Sequence, residues 1–279
     1  MIDLLMPTIA QGLLWAIMAL GVYITYRVLD IADLTVEGSF PLGAAVAASL
    51  LAGGYSPWLA FGAAMLAGML AGVATGLLHT KLKIPALLAG ILTMIALYSV
   101  NLRVMGKANL SLLRVDTVFS IMRDIGGFSN AQAVLCVGIV SSFLIGGLIY
   151  WFFGTEIGAA IRATGFNPQM IRAQGVDTNF TIILGLLISN ALVALSGALV
   201  AQNNGFADVG MGTGTIVIGL ASVIIGEVLF GTRSFKNCII SVVLGSIVYR
   251  LVIADGNAAK RSEAVYSYSG SVCVVAAAY

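Results

Sequence analysis

The sequence predicts an all-α, polytopic integral membrane protein of about eight transmembrane helices, and three observations carry that expectation. Of its 279 residues, 59% are hydrophobic and only 9% charged, whereas a soluble domain carries about a quarter charged. The apolar residues fall into separate runs matched to a hydrocarbon core of about 30 Å, which takes roughly 20 residues per helix. The 33 glycines, together with many alanines, suit helices packed through small faces. A net charge of +2 gives no reason to expect a nucleic acid partner.

The first run, 4–26, lacks the basic leading region of a cleavable signal and is too long for a signal core, so it is expected to remain as the first membrane helix. Further runs at 39–54, 57–79, 84–102, 132–153, 179–201, 212–231 and 237–254 supply the other spans. The second and seventh are short or interrupted by glycine. Charge collects in the connections, from Arg27 to Glu37, at Lys81 and Lys83, from Arg103 to Arg123, from Glu156 to Asp177, and at Arg233 and Lys236. Within 103–131, Val118, Ile121, Met122 and Ile125 recur at helical spacing. They predict an amphipathic helix resting on the membrane, the alternative being an ordinary ordered loop.

The most polar connection is 154–178, GTEIGAAIRATGFNPQMIRAQGVDT. A helix from Glu156 to Thr164 is expected between Thr155 and Gly165. A second, two-turn helix follows from three local signals: Asn167 as N-cap, Pro168 at the first helical position, and Gly175 in the left-handed conformation that ends a helix. It presents Gln169, Arg172 and Gln174 among Met170, Ile171 and Ala173, one face being offered to a partner. Placing this loop in the cytoplasm puts Arg27, Lys81, Lys83, Arg162, Arg172, Arg233 and Lys236 inside, against Arg103, Lys107, Arg114 and Arg123 outside, as the positive-inside rule favours.

The chain also echoes itself. Ile31-Ala32-Asp33-Leu34 follows the first span and Phe206-Ala207-Asp208-Val209 follows the sixth, an offset of 175 residues. The same offset carries 4–26 and 57–79 onto spans found independently. Two three-helix units, about 4–79 and 179–254, would then run in opposite directions, each with a middle helix entered through an acidic break. This inverted three-helix repeat is the arrangement of many transporters, whose broken helices face the pathway.

Carboxylates at such breaks must face water, protein or a partner. Asp33, Glu37, Gly38, Ser39, Asn190, Asn203 and Asp208 are therefore candidate translocation-pathway residues. Helix capping is the competing reading for Asp33 and Asp208, and interhelical hydrogen bonding for the asparagines and Ser189. Pro41 is expected to open the helix after Glu37. Glu227, within the seventh span, is expected to bind a solute amine or to pair with Arg233, six residues on. His79 has no second histidine or cysteine nearby, and Cys136, Cys238 and Cys273 are too scattered for a metal site or a disulfide framework, so no metal is expected. Trp15, Trp58 and Trp151 are expected to anchor at interfaces or pack between helices. The chain has no G-x-x-x-x-G-K-[ST], H-E-x-x-H or G-x-S-x-G motif, so ATP binding by a phosphate loop and two common hydrolase chemistries are not expected of it.

Two stretches, DLTVEGSFPLGAAVAA from Asp33 to Ala48 and GAAIRATGFNPQMIRAQGVD from Gly158 to Asp177, resemble the permease subunit of bacterial ABC importers. The resemblance is to the branched-chain amino acid and ribose permease class, especially its tryptophan/tyrosine-type members, and covers about residues 5–253. It implies a transmembrane permease domain over 1–254 that moves an amino acid or similar small solute across the inner membrane. It also implies a second permease copy, an external solute-binding protein and cytoplasmic ATPase subunits. The ATPases would dock on the coupling loop 154–178, at Asn167, Pro168, Gln169, Met170, Ile171, Arg172, Ala173 and Gly175. No cofactor is expected on this chain, ATP being held and hydrolysed by the partners, so the chain is not itself an enzyme. The alternative is an ion-gradient-driven secondary transporter, for which Glu227 is the candidate titrating group. Residues 255–279 depart from the family pattern and read as an atypical tail, such as a frameshift would produce. Their last apolar run, Val272 to Ala278, is too short to span.

Overall fold

The computed structural model describes residues 2–113, 115–127 and 129–255, so Arg114, Cys273 and the tail from 256 lie outside the described residues. Helix α1 (Ile2–Tyr23) continues through one π turn, Ile24–Val28, and an irregular stretch leads to α2 (Val36–Ala52). Helices α3 (Pro57–Thr80) and α4 (Ala86–Met105) follow, then a three-residue strand β1 (Asn109–Ser111), α5 (Val118–Gly126) and α6 (Asn130–Phe153). The polar connection folds as α7 (Glu156–Phe166) and α8 (Pro168–Ala173) before α9 (Thr178–Asn204). Strand β2 (Phe206–Asp208) and a 3-10 turn, Val209–Gly212, lead into α10 (Thr215–Phe230), and α11 (Phe235–Asp255) is the last described helix.

Among the described residues seven helices are long and apolar enough to cross a membrane, and the 17-residue α2 makes the eighth apolar helix. The protein is all-α and polytopic, apart from one antiparallel pair. In that pair Asn109 faces Asp208 and Ser111 faces Phe206, tying the α4–α5 connection to the α9–α10 connection. Strands this short leave no readable period-2 pattern, which is why sequence periodicity does not reveal them.

Helix α9 is the central post, packed against α1, α2 and α3. Small residues let α2 cross it closely. A Cβ on Gly197 would fall 2.0 Å from the Phe40 carbonyl oxygen, and one on Gly43 would collide with the Ala194 backbone. Serines bind the same core by donating to carbonyls of α1: Ser189 to Gly21, Ser196 to Leu14 and Ser142 to Leu13. Such side-chain to backbone bonds hold helices together where lipid supplies no hydrophobic drive between them. The outer faces remain apolar and exposed, as at Leu88 and Leu92 on α4 and Phe143 and Leu148 on α6.

Two expected helix boundaries shift. Helix α7 runs through Gly165 to Phe166 rather than stopping at Thr164. Gly165 lies against Val28, whose carbonyl oxygen a Cβ would strike, so this glycine serves close approach and not termination. Pro41 does not open α2, which begins five residues earlier at Val36. A turn held by Asp33, whose Oδ1 accepts the Thr35 N–H at 2.9 Å, starts the helix. Pro41 then sits in its second turn and has no N–H to donate to the Glu37 carbonyl. The amphipathic helix near 118–125 is present as α5, and Thr117 and Ser120 form its capping box.

Candidate translocation site and coupling segment

Three of the polar candidates meet in one buried cluster: Asp33 from the stretch between α1 and α2, Ser39 from α2 and Asn190 from α9. Asp33 is 2% exposed, and its Oδ2 accepts from Asn190 Nδ2 at 2.8 Å. Asn190 Oδ1 in turn accepts from Ser39 Oγ at 2.7 Å. The cluster thus pins the irregular chain and the start of α2 onto the middle of α9. A second chain of hydroxyls adjoins it: Thr35 Oγ1 lies 2.8 Å from Thr75 Oγ1, which donates to Thr93 Oγ1 at 2.9 Å. Every side chain in the two chains is buried, and in this structure they join helices.

Glu37 and Gly38 occupy a different place, where the starts of two short helices meet. Glu37 Oε1 accepts the N–H of Gly214, the N-cap of α10, at 3.1 Å. A Cβ on Gly212 would fall 2.0 Å from the Glu37 carbonyl oxygen, the one that Pro41 cannot bond. The α2 and α10 entries therefore interlock through backbone at a point where only glycine fits. Beside this junction lies a cavity of about 350 Å³, lined by Glu37, Gly38, Pro41, Met94, Ile95, Tyr98, Asn101, Val209, Gly210 and Thr213.

Asn203 and Asp208 belong elsewhere. Asn203 lines a cavity of about 480 Å³ beneath α5, with Gln202, Arg123 and Ser120. Asp208 caps the turn before α10: its Oδ1 accepts from Gly210 N, and its Oδ2 from Asn109 Nδ2 at 3.2 Å across the strand pair. The seven pathway candidates are thus dispersed over a buried cluster, a helix junction, a second cavity and the long-range strand pair. Asn101, Tyr98 and Thr213 are cavity residues that sequence reasoning misses. An asparagine inside an apolar run was the available signal for the first.

At the opposite end of the bundle, α7 and α8 form a compact ledge. Asn167 Oδ1 accepts from both Gln169 N and Met170 N at 3.1 Å, Pro168 holds the first helical position, and Gly175 has φ +87°. Ile171 is buried and anchors α8, while Phe166 is 94% and Met170 53% exposed. Arg172 Nε donates to Thr178 Oγ1, so this arginine braces the ledge against α9. At the same end Glu227 pairs with Arg27 at 2.8 Å, and not with Arg233 as its sequence neighbourhood suggests. The α1 and α10 ends lie side by side, and the guanidinium of Arg27 reaches both carboxylate oxygens. Glu227, the carboxylate that a gradient-driven mechanism would have used, is therefore committed to a structural pair. His79 is likewise structural, its Nδ1 lying 2.8 Å from the Ile84 carbonyl. Among the described residues no cluster of three or more His, Cys, Asp or Glu could hold a metal ion.

The family described as branched-chain amino acid transport system / permease component matches residues 4–272. The chain belongs to this permease family. The tyrosine transport system permease protein of Clostridioides difficile (strain R20291) is 43% identical over 249 residues, covering 89% of this chain and 81% of that protein. The D-allose transport system permease protein of Escherichia coli (strain K12) is 29% identical over 245 residues, covering 86% and 68%. The ribose import permease protein of the same strain is 26% identical over 238 residues, covering 84% and 71%. No solved structure matches the permease. It is a membrane-spanning permease subunit of an ABC importer, a multi-pass protein of the bacterial inner membrane. Membership implies ATPase and solute-binding partners on other chains.

Proposed function

We propose that this permease carries an amino acid, with tyrosine the first solute to test, and that the α7–α8 ledge is where a cytoplasmic ATPase docks. The solute assignment rests on the relative named for tyrosine transport, which is 43% identical over 249 residues. The docking assignment rests on one observation: a ledge anchored by buried Ile171 holds Phe166, 94% exposed, and Met170, 53% exposed, at its surface. Apolar side chains held on a braced helix suit a groove in a partner. The positive-inside rule favours a cytoplasmic position for this end, since Arg27, Arg162, Arg172, Arg233 and Lys236 all lie near it. ATP stays on the partner subunits, and this chain binds no cofactor.

The same reading takes α1–α2–α3 and α9–α10–α11 as two inverted units, each with a short middle helix: 17 residues in α2 and 16 in α10. Two copies of the permease would enclose the pathway, and an external binding protein would deliver the solute. Closure of the ATPases would move the ledges and switch the bundle between outward and inward openings.

The test is co-purification of the permease with a candidate partner ATPase, followed by uptake of labelled L-tyrosine in proteoliposomes containing a candidate binding protein. Phe166→Asp with Met170→Asp is expected to abolish co-purification while membrane insertion persists. Arg172 is a poorer probe, because its bond to Thr178 makes it part of the ledge. ATPase binding unchanged in the double variant would refute the docking site, and absent tyrosine uptake by the wild type would refute the solute.

A further inference from the structure

The cavity at the α2–α10 junction has a donor–acceptor balance that specifies a ligand. Glu37 uses Oε1 to accept the Gly214 N–H, and no described residue donates to its other oxygen. Asn101, 0% exposed, donates through Nδ2 to the Gly38 carbonyl at 3.3 Å, and its Oδ1 has no partner among the described residues. A buried amide oxygen left unpaired costs about 1–3 kcal/mol, so its persistence beside a cavity needs a reason. No lysine, arginine or histidine lines the space. Two oxygens thus await donors in a site without a cation of its own. Met94, Ile95, Pro41 and the Tyr98 ring form an apolar wall alongside them.

We infer that this cavity is a solute-binding station on the pathway, with the Glu37 carboxylate and Asn101 Oδ1 receiving the ammonium group of an amino acid whose side chain lies against Tyr98 and Met94. The inference rests on the amino-acid reading above and adds the atoms that recognise the solute. An ammonium carries three donors and no acceptor, and the two vacant oxygens would take two of the three. A metal cation would require about six oxygen ligands, far more than these two side chains supply. The volume of about 350 Å³ lies at the small end of ligand pockets and suits an amino acid. The station also has a mechanical position: it is built from both short-helix entries, so any relative movement of α2 and α10 alters it.

Two substitutions separate solute recognition from a structural role. Glu37→Gln keeps an oxygen for the Gly214 N–H but removes the charge, whereas Glu37→Asp keeps the charge but shortens the reach to Gly214. The assay is initial uptake of a mixture of the twenty labelled L-amino acids by the complete complex in proteoliposomes, with assembly and basal ATP hydrolysis measured in parallel. Glu37→Gln is expected to lower uptake about tenfold or more, the scale of one charge-assisted hydrogen bond, while Glu37→Asp stays within about threefold of wild type, the complex assembling in both. Asn101→Leu is expected to lower uptake with the complex still assembled. Unchanged uptake in Glu37→Gln or Asn101→Leu, or equal loss in Glu37→Asp and Glu37→Gln, overturns the station while leaving the amino-acid reading intact. A wild type that takes up none of the twenty overturns the amino-acid reading and the station with it.

Discussion

Arg27 and Glu227, 200 residues apart in sequence, meet in a fork of hydrogen bonds in which Nε and Nη2 of the guanidinium bond the two carboxylate oxygens, each at 2.8 Å. The pair is unequal, for the arginine side chain is 54% exposed and the carboxylate only 12%. It joins the end of α1 to the end of α10 at the face where the ledge lies.

That inequality predicts an asymmetric response to substitution. Arg27→Ala strands a mostly buried carboxylate and is expected to cost about 1–3 kcal/mol. Glu227→Gln leaves an arginine that water reaches, and is expected to cost about 1 kcal/mol or less. Thermal unfolding of the detergent-purified protein should therefore show the larger drop for Arg27→Ala. Equal drops would mean that the pair contributes through packing and not through charge.

A second prediction concerns the α2–α9 crossing. Gly197→Ala places a methyl 2.0 Å from the Phe40 carbonyl oxygen, in backbone that cannot rotate away. Overpacking of this kind costs about 1–3 kcal/mol or more. A Cβ on Gly62, in the same bundle, would meet nothing within 4 Å. Expression and monodispersity on size exclusion should collapse for Gly197→Ala and remain at wild-type level for Gly62→Ala. A stable Gly197→Ala protein would mean that the helices can separate at the crossing.

These contrasts also mark what is legible in the sequence. Spans can be read because a bilayer demands long apolar runs, and the run 57–79 becomes α3, Pro57–Thr80. The α8 helix can be read because its cap, its first-position proline and its left-handed glycine are all local. Partners across the bundle cannot be read this way. Glu227 lies six residues from Arg233 in the chain yet pairs with Arg27, because helix ends distant in sequence meet at one face. The cavity is invisible for the same reason, as Glu37, Asn101 and Thr213 come from three separate segments. Asp33 shows a middle case: its turn onto the Thr35 N–H is a local signal, but its bond to Asn190 is tertiary.

The buried cluster of Asp33, Asn190 and Ser39 should govern folding more than transport chemistry. Asn190→Leu removes both the donor to Asp33 and the acceptor for Ser39, leaving a carboxylate that is 2% exposed with one partner fewer. Leaving a buried polar group without its partner costs about 1–3 kcal/mol. Asn190→Leu is thus expected to unfold several degrees below wild type. Combining it with Asp33→Asn should recover part of the loss, since a neutral amide costs less to bury than an ionisable carboxyl group. A double variant no better than Asn190→Leu would place the damage in packing against Gly68, whose neighbour Asn190 is.

The last prediction separates the shape of the ledge from its surface. Asn167 Oδ1 accepts from Gln169 N and Met170 N, both at 3.1 Å, and the 6-residue α8 has little else to hold its first turn. Asn167→Ala removes that cap at a cost of about 0.5–2 kcal/mol, whereas Asn167→Asp keeps an acceptor and adds a favourable charge at the helix start. Because a helix this short cannot sustain itself, the loss falls on α8 locally and not on the bundle. Hydrogen exchange should rise across 168–174 in Asn167→Ala and remain low in Asn167→Asp, with global unfolding unchanged in both. ATPase co-purification is expected to weaken in parallel with that local exchange. If Asn167→Ala frays α8 yet binds the ATPase as tightly as wild type, the partner contacts Phe166 and the α7 end alone.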